Sequence, residues 1–283
     1  MQIQHTISGT REVIRHWLAE GESVALVPTM GNLHAGHMSL VEKARTLADR
    51  VVVSIFVNPL QFGPAEDFDA YPRTPDEDHE LLEQAEVDLV FEPPVEEMYP
   101  DSKAIQTTVE VAGLSDELCG AYRARHFAGV VTVVTKLFNV IQPTVAVFGE
   151  KDYQQLLIIR RMTEDLNSPV QIASAPICRE HDGLAMSSRN RYLDPEQRAL
   201  APRLYATLLR VSDLLREDEE SIEEIESRGL EMLRAEGFDP DYLAIRERHS
   251  LSEPGESDSD LVVLAAARLG KVRLIDNQTV DRI

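Results

Sequence analysis

The chain has 283 residues, is 43% hydrophobic and carries a formal charge of −21, which suits a globular protein and disfavours nonspecific binding to nucleic acid or anionic membranes. No apolar run approaches the roughly 20 residues of a bilayer-spanning helix. The start, Met1-Gln2-Ile3-Gln4-His5, lacks the basic-then-apolar order of a secretory signal, and only two distant cysteines, Cys119 and Cys178, are present, so a reducing cytoplasm is the expected location.

Lysine is scarce: Lys43, Lys103, Lys136, Lys151 and Lys271 stand among 28 basic residues. Together with the acidic balance, this fits either a salt-rich cytoplasm or an arginine-preferring genome. Stability that rises up to molar salt is the mark of the first.

Taken in chain order, short apolar runs at 24–27, 51–57, 87–91, 144–148 and 170–173 predict strands. Helical patterns lie between them at 37–48, 75–85, 127–141 and 153–165. This alternation predicts an α/β fold with a parallel sheet covered by helices on both faces. Residues 58–73 read as a long loop punctuated by Pro59, Pro64 and Pro72, either an active-site lid or an irregular connection. The pattern changes near Pro176. Two charged helices, at 195–216 and 219–236, flank an acidic run at 216–220, and short strands follow at 242–246, 261–268 and 272–275. Residues 250–260 read as a flexible loop. The predicted domains are therefore 1–176 and 177–283, the second smaller and of α+β type.

Between the first strand and the first helix stands Pro28-Thr29-Met30-Gly31-Asn32-Leu33-His34-Ala35-Gly36-His37. The two histidines, three residues apart, fall on one face of the first helical turn. Gly31 and Gly36 permit close approach to the backbone. The helix start adds N–H groups and a partial positive charge, which favour a phosphate. A histidine beside a helix start is ordinarily a cap, and a glycine after a strand is ordinarily a turn; the combination points to nucleotide phosphate chemistry. It is neither a P-loop, because no Gly-Lys-Ser/Thr follows, nor a zinc-binding His-Glu-x-x-His.

In parallel sheets ligands bind beyond the carboxyl ends of the strands. The motif just described, Asn58-Pro59 and Gly149-Glu150-Lys151-Asp152 each follow a predicted strand, so these loops are expected to converge. Lys151 would offer an ammonium to phosphate there, although an exposed lysine paired with Glu150 or Asp152 is the plainer reading. Met186-Ser187-Ser188-Arg189-Asn190 offers hydroxyls, N–H groups and a guanidinium. Gln61 and Gln155 are neutral amides at strand ends, and by themselves they read as ordinary surface glutamines. For a substrate whose carboxylate attacks phosphorus, however, they would orient it with less hold on its nucleophilic lone pairs than an arginine.

With these residues assembled, the chain resembles the pantothenate synthetase (pantoate–β-alanine ligase) family of His-x-Gly-His nucleotidyltransferases through nearly its whole length. The resemblance is carried by residues 28–37, Asn58-Pro59-x-Gln61-Phe62, Tyr71-Pro72-Arg73, Gly149-Glu150-Lys151-Asp152-x-Gln154-Gln155, Ser187-Ser188-Arg189-Asn190 and Leu274-Ile275-Asp276-Asn277. It implies a Rossmann-like ATP- and pantoate-binding domain, a smaller C-terminal lid and usually a homodimer, without nucleic acid or membrane partners. The implied reaction joins (R)-pantoate to β-alanine with ATP and Mg²⁺, through pantoyl adenylate, releasing diphosphate and AMP. The resemblance places ATP on Met30, Gly31, Asn32, Leu33, His34, Ala35, Gly36 and His37, on Gly149, Glu150, Lys151 and Asp152, on Cys178, and on Met186, Ser187, Ser188 and Arg189. It makes His37 the proton donor, with His34 and Lys151 stabilising charge on the phosphate. Gln61 and Gln155 would hold pantoate, and Gln61 would also face β-alanine. One departure stands out: the family commonly has Arg-Pro-Gly-His-Phe where this chain has Arg123-Ala124-Arg125-His126-Phe127. Losing a stiff turn and a residue tolerant of positive φ leaves Arg123 outside the expected site.

Overall fold

The computed structural model describes residues 1–64, 66–100, 107–217, 219–255 and 257–282. Of the segments singled out in the sequence, Ala65 in the long loop, Asp218 in the acidic run, Glu256 in the 250–260 loop and Lys103 lie outside the described residues. The chain divides into two compact units, Met1–Glu150 with Ile158–Pro176, and Lys151–Leu157 with Ile177–Ile283.

In chain order the first part contains β1 (Gln2–Gln4), α1 (Ile7–Ala19), β2 (Val24–Thr29), α2 (Ala35–Arg45), β3 (Arg50–Ile55), α3 (Pro75–Gln84), β4 (Leu89–Phe91), α4 (Val95–Met98), α5 (Cys119–Tyr122), α6 (His126–Ile141), β5 (Val145–Gly149), α7 (Tyr153–Asp165) and β6 (Gln171–Ala175). The six strands form one parallel sheet in the order β1-β4-β3-β2-β5-β6. From β2 the chain winds through β3 to β4 on one side, then restarts at β5 and leaves through β6 on the other. The winding therefore reverses between β2 and β5, and in such sheets the crevice beyond the reversal takes the ligand.

Pairing opens that crevice. β2 follows β3 from Val24↔Arg50 to Thr29↔Ile55, whereas its ladder with β5 covers only Ala25↔Val145 and Leu26↔Ala146. Pro28, which has no N–H to give, sits beyond the end of the β2–β5 ladder and so removes no bond from it. On one face of the sheet, Val27, Val53, Val90 and Val147 pack with Leu40, Val41 and Ala44 of α2 and Leu82 of α3. α6 is apolar around most of its circumference and correspondingly buried.

The second part contains α8 (Pro195–Leu200), α9 (Arg203–Glu217), α10 (Ile222–Ala235), β7 (Asp239–Glu247), β8 (Asp260–Leu269) and β9 (Val272–Asp281). The strands make an antiparallel sheet in the order β7-β8-β9. Leu204, Leu208, Val211 and Leu215, spaced along one stripe of α9, share a core with Val263, Ala265 and Ala267 of β8 and Leu274 of β9.

Three expectations change. The single helix expected over 195–216 is two, α8 and α9, because Pro202 cannot donate to the carbonyl of residue 198 and its ring crowds it. The last strand runs to Asp281 rather than 275, its polar residues Asp276 and Asn277 being buried at 3% and 5% exposure. β1 and α1 add to the predicted elements at the start. Among the described residues, no helix is long and apolar enough to cross a membrane.

Candidate active site

The turn from β2 into α2 is held by a carboxylate from α3. Asp78, 2% exposed, accepts the N–H of Asn32 at 2.8 Å and of Leu33 at 2.7 Å, and the Thr74 hydroxyl at 3.2 Å. Gly31 has φ +76°, and a Cβ there would stand 2.9 Å from Asp78 Oδ2 and 3.1 Å from Ile55 Cγ2, so glycine is required. Asn32 also takes a left-handed φ of +51°. Leu33 then anchors the turn in the core.

His34 is the N-cap of α2, whose first residues are Ala35 and Gly36. Gly36 N donates to His34 Nδ1 at 3.1 Å, and His34 N donates to His37 Nδ1 at 3.3 Å. The two rings lie 4.1 Å apart, centroid to centroid. This is a capping box built from imidazoles. Because each Nδ1 is an acceptor, each neutral ring carries its hydrogen on Nε2. Two N–H donors thus belong to the positive end of a helix, an arrangement suited to an anion.

Beyond β3, Gln61 ends a short 3₁₀ turn, Pro59–Gln61. Asn58 organises it: Nδ2 donates to Gly129 O at 3.0 Å and to Gln61 Oε1 at 3.1 Å, and Oδ1 accepts the Tyr99 hydroxyl at 2.9 Å. Burial pushes the Tyr99 hydroxyl pKa up, so it remains a neutral donor. Gln61 Nε2 lies 3.1 Å from Met30 Sδ and so joins the two loops. The helix α6 comes close here because residue 129 is glycine; a Cβ would stand 2.7 Å from Gln61 N and closer still to the Leu60 carbonyl.

The main chain of Gln61 is gripped as well. His126 Nδ1 is 2.7 Å from Gln61 O, and Arg123 Nη1 is 2.9 Å from His126 Nε2. A guanidinium only donates, so Nε2 accepts and Nδ1–H donates to the carbonyl. Arg123 in turn holds Glu66 through bonds of 2.8 and 2.6 Å. Burial alone would raise the Glu66 pKa, but the bonds and charge of Arg123 outweigh it and bring it to about 2. Arg125 takes φ +62° at the cap of α6, so the turn keeps the left-handed conformation that a glycine would adopt freely. Phe62 packs edge-on against Phe68 and Tyr71, with centroids 5.4 and 5.9 Å away, giving the long loop its own aromatic cluster.

At the end of β5, a Cβ on Gly149 would stand 3.9 Å from Leu40 Cδ2 of α2, an ordinary van der Waals contact, and Glu150 accepts the Ser174 hydroxyl at 2.8 Å. The neighbouring parallel strands β3, β2 and β5 therefore deliver Gln61, residues 30–37 and Gly149 to one edge of the sheet.

The other expected residues belong to the second unit, which takes residues 151–157 and so the start of α7. Lys151 Nζ lies 3.8 Å from Asp152, and the Lys151 carbonyl accepts Asn277 Nδ2 at 3.0 Å. Tyr153, opening α7, donates its hydroxyl to Arg248 O at 3.0 Å. Gln154 is buried and Gln155 half-buried. Cys178 is a free thiol with Sγ 3.6 Å from Met186 Sδ, and Met186 N donates to Cys178 O at 3.0 Å. Ser187 caps the 3₁₀ turn Ser188–Tyr192 by accepting Arg189 N at 3.3 Å; Ser188 is buried and Arg189 half-buried. Among the described residues, no group of three or more His, Cys, Asp or Glu side chains is placed to hold a metal ion.

The sequence assigned no role to Asp78, Gly129 or Glu66, and it marked Asn58 as a loop residue after a strand without showing what it holds. Asp78 had one faint signal: it precedes the core residue Leu82 by four, on the buried stripe of its helix.

The family model for pantoate-beta-alanine ligase matches residues 2–279. A pantothenate synthetase of Azotobacter vinelandii is 55% identical over 276 residues, 98% of each chain. The crystal structure of pantothenate synthetase from Thermus thermophilus has a TM-score of 0.91 and 47% identity, covering 98% of this chain and 99% of that one. A pantoate-beta-alanine ligase from Francisella tularensis, complexed with beta-gamma ATP and beta-alanine, has a TM-score of 0.81 and 33% identity, covering 98% and 97%.

Proposed function

The chain belongs to the pantoate–β-alanine ligase family, and from that premise we propose how its residues carry out the ATP-dependent condensation of (R)-pantoate with β-alanine. A pantoate carboxylate oxygen attacks the α-phosphorus of ATP, forming pantoyl adenylate as diphosphate leaves. The amine of β-alanine then attacks the acyl carbon; AMP departs and the amine loses a proton.

Met30 through His37 take the ATP phosphates, with the Nε2–H groups of His34 and His37 donating to phosphate oxygens and His37 as proton donor. Lys151 stabilises charge on the transferring phosphate. Gly149, Glu150, Asp152, Cys178 and Met186 through Arg189 complete the nucleotide contacts. Gln61 and Gln155 orient pantoate, and Gln61 also faces β-alanine. Such a reaction needs positioning and neutralisation more than a strong base. The observation that carries this reading is the imidazole capping box at the point where the sheet reverses its winding.

Mg²⁺ fits as part of the Mg–ATP substrate. The Asp78 oxygens are already committed to backbone N–H groups, and a hard cation that keeps several waters is readily held by phosphates. The reading includes residues 1–176 as the ATP- and pantoate-binding domain, 177–283 as the lid, and a cytoplasmic homodimer. The resemblance to the family supports the lid and the dimer.

The test is diphosphate release with ATP and pantoate, with and without β-alanine. A burst of pantoyl adenylate without the amine, and turnover with it, are expected. Lys151→Ala is expected to suppress the burst with the fold intact; a normal burst in that variant overturns the role of Lys151.

A further inference from the structure

Two segments of the second unit assigned above to ATP, Lys151–Asp152 and Met186–Arg189, are both tied to adjacent residues of β9. Successive residues of a strand face opposite sides of the sheet. Asp276 lies across from Ala265, part of the core that includes α9, and Asn277 lies across from Leu264. One dipeptide therefore reaches both faces.

On the first face, Asp276 receives Arg179 through two parallel bonds, Nη1 to Oδ2 at 2.7 Å and Nη2 to Oδ1 at 2.9 Å. Arg179 lies 3.5 Å over the Tyr205 ring and also donates to Gly183 O at 3.1 Å. Its main chain pairs with Ala185, the residue before Met186. The guanidinium thus pins both strands of the turn that presents Met186, Ser187, Ser188 and Arg189. On the other face, Asn277 Nδ2 holds the Lys151 carbonyl at 3.0 Å. Asp276 Oδ1 also accepts Asn277 N at 2.8 Å, so the carboxylate that receives Arg179 also fixes the main chain of the residue that holds Lys151.

We propose that Asp276 and Asn277 are positioning residues for adenylate formation: the pair sets where the Lys151 segment and the Met186–Arg189 turn stand before ATP arrives. This rests on the reading of those two segments as ATP-binding. A lysine ammonium on a four-carbon stem reaches one place reproducibly only if its main chain is fixed. A buried ion pair is in itself a weak source of stability, since apolar replacements of the same volume often match it. Its geometric consequence for the turn is the better account of its presence.

The test uses the full-length enzyme with Asn277→Ala, Asn277→Asp and Lys151→Ala. Single-turnover pantoyl adenylate formation is measured, then the second half-reaction with supplied pantoyl adenylate and β-alanine, then Tm. Asn277→Ala is expected to slow adenylate formation by about 10- to 100-fold, the scale of an ångström misplacement. The β-alanine step and Tm should stay near wild type. Asn277→Asp, which keeps the size and loses the donor, should match it. A wild-type adenylate rate in Asn277→Ala overturns the proposal, as does an equal loss in both half-reactions with a lowered Tm. Lys151→Ala separates the two readings: a normal rate there removes the premise, whereas a slow Lys151→Ala beside a normal Asn277→Ala removes only the positioning role. Asp276→Asn strips the half-buried Arg179 guanidinium of its charged partner and is the variant most exposed to misfolding, so Asn277 carries the test.

Discussion

The Asp78 carboxylate and the main chain of Asn32 are 46 residues apart in sequence and 2.8 Å apart in space, and this contact shapes the turn that precedes both candidate histidines. Asp78→Ala would leave the N–H groups of Asn32 and Leu33 buried without their acceptor, at a cost of roughly 1–3 kcal/mol for each. The expected result is a lowered urea midpoint together with a raised KM for ATP. If stability falls and the KM for ATP is unchanged, the carboxylate holds the fold without shaping the site.

Gly129→Ala tests the contact of α6 with the turn carrying Gln61. The added methyl overlaps the Leu60 carbonyl and stands 2.7 Å from Gln61 N, so backbone must move. Overpacking of this kind costs about 1–3 kcal/mol. The KM for pantoate is expected to rise more than that for ATP. Equal rises would show that Gln61 does not discriminate between the two substrates.

The Glu66–Arg123 pair has a defined pH signature. The folded-state pKa of Glu66, about 2, lies below its ordinary 4.5, so the stabilisation is complete above the ordinary value and is lost as pH falls towards the folded one. Glu66→Gln is expected to lower stability at pH 7 by roughly 1–3 kcal/mol, the scale of hydrogen bonds to charged groups. Unfolding curves of the two proteins should converge between pH 4.5 and 2. A gap that stays constant over that range would rule out the ionised pair as its source.

Arg125→Gly tests strain at the cap of α6. A non-glycine residue at φ +62° carries a penalty of about 1–2 kcal/mol, partly offset by the greater freedom of glycine in the unfolded chain. A net gain of roughly 0.5–1 kcal/mol is expected, read as a higher Tm. A fall in Tm would mean that the Arg125 side chain contributes more than its backbone costs.

Much of the fold was legible because its signals are local. β-branched runs bounded by glycine and proline marked β2, β3, β4, β5 and β6, and α7 occupies 153–165 as expected. The ends of elements were less so, because ladders decide them. β2 continues through Pro28 and Thr29 only because β3 lies alongside, and β9 continues through Asp276 and Asn277 because β8 does. The three-residue strand β1 has too few residues to show a period, and its pairing with β4 lies far along the chain.

The site divides in the same way. The residues that would touch nucleotide were readable as a motif, because glycine, histidine and a helix start carry their chemistry on their own atoms and at fixed local spacing. The groups that hold them were not. Asp78 differs in sequence from Asp76 and Glu77 only in standing four residues before Leu82, and Asp276 and Asn277 stand among other polar residues of β9, Arg273, Gln278 and Thr279. By itself the sequence determined which chemistry is on offer, since side-chain type and short-range spacing suffice for that. Only the tertiary structure decided which carboxylate grips which loop, because a buried hydrogen bond forms where distant segments are brought within about 3 Å, and no local pattern records that distance.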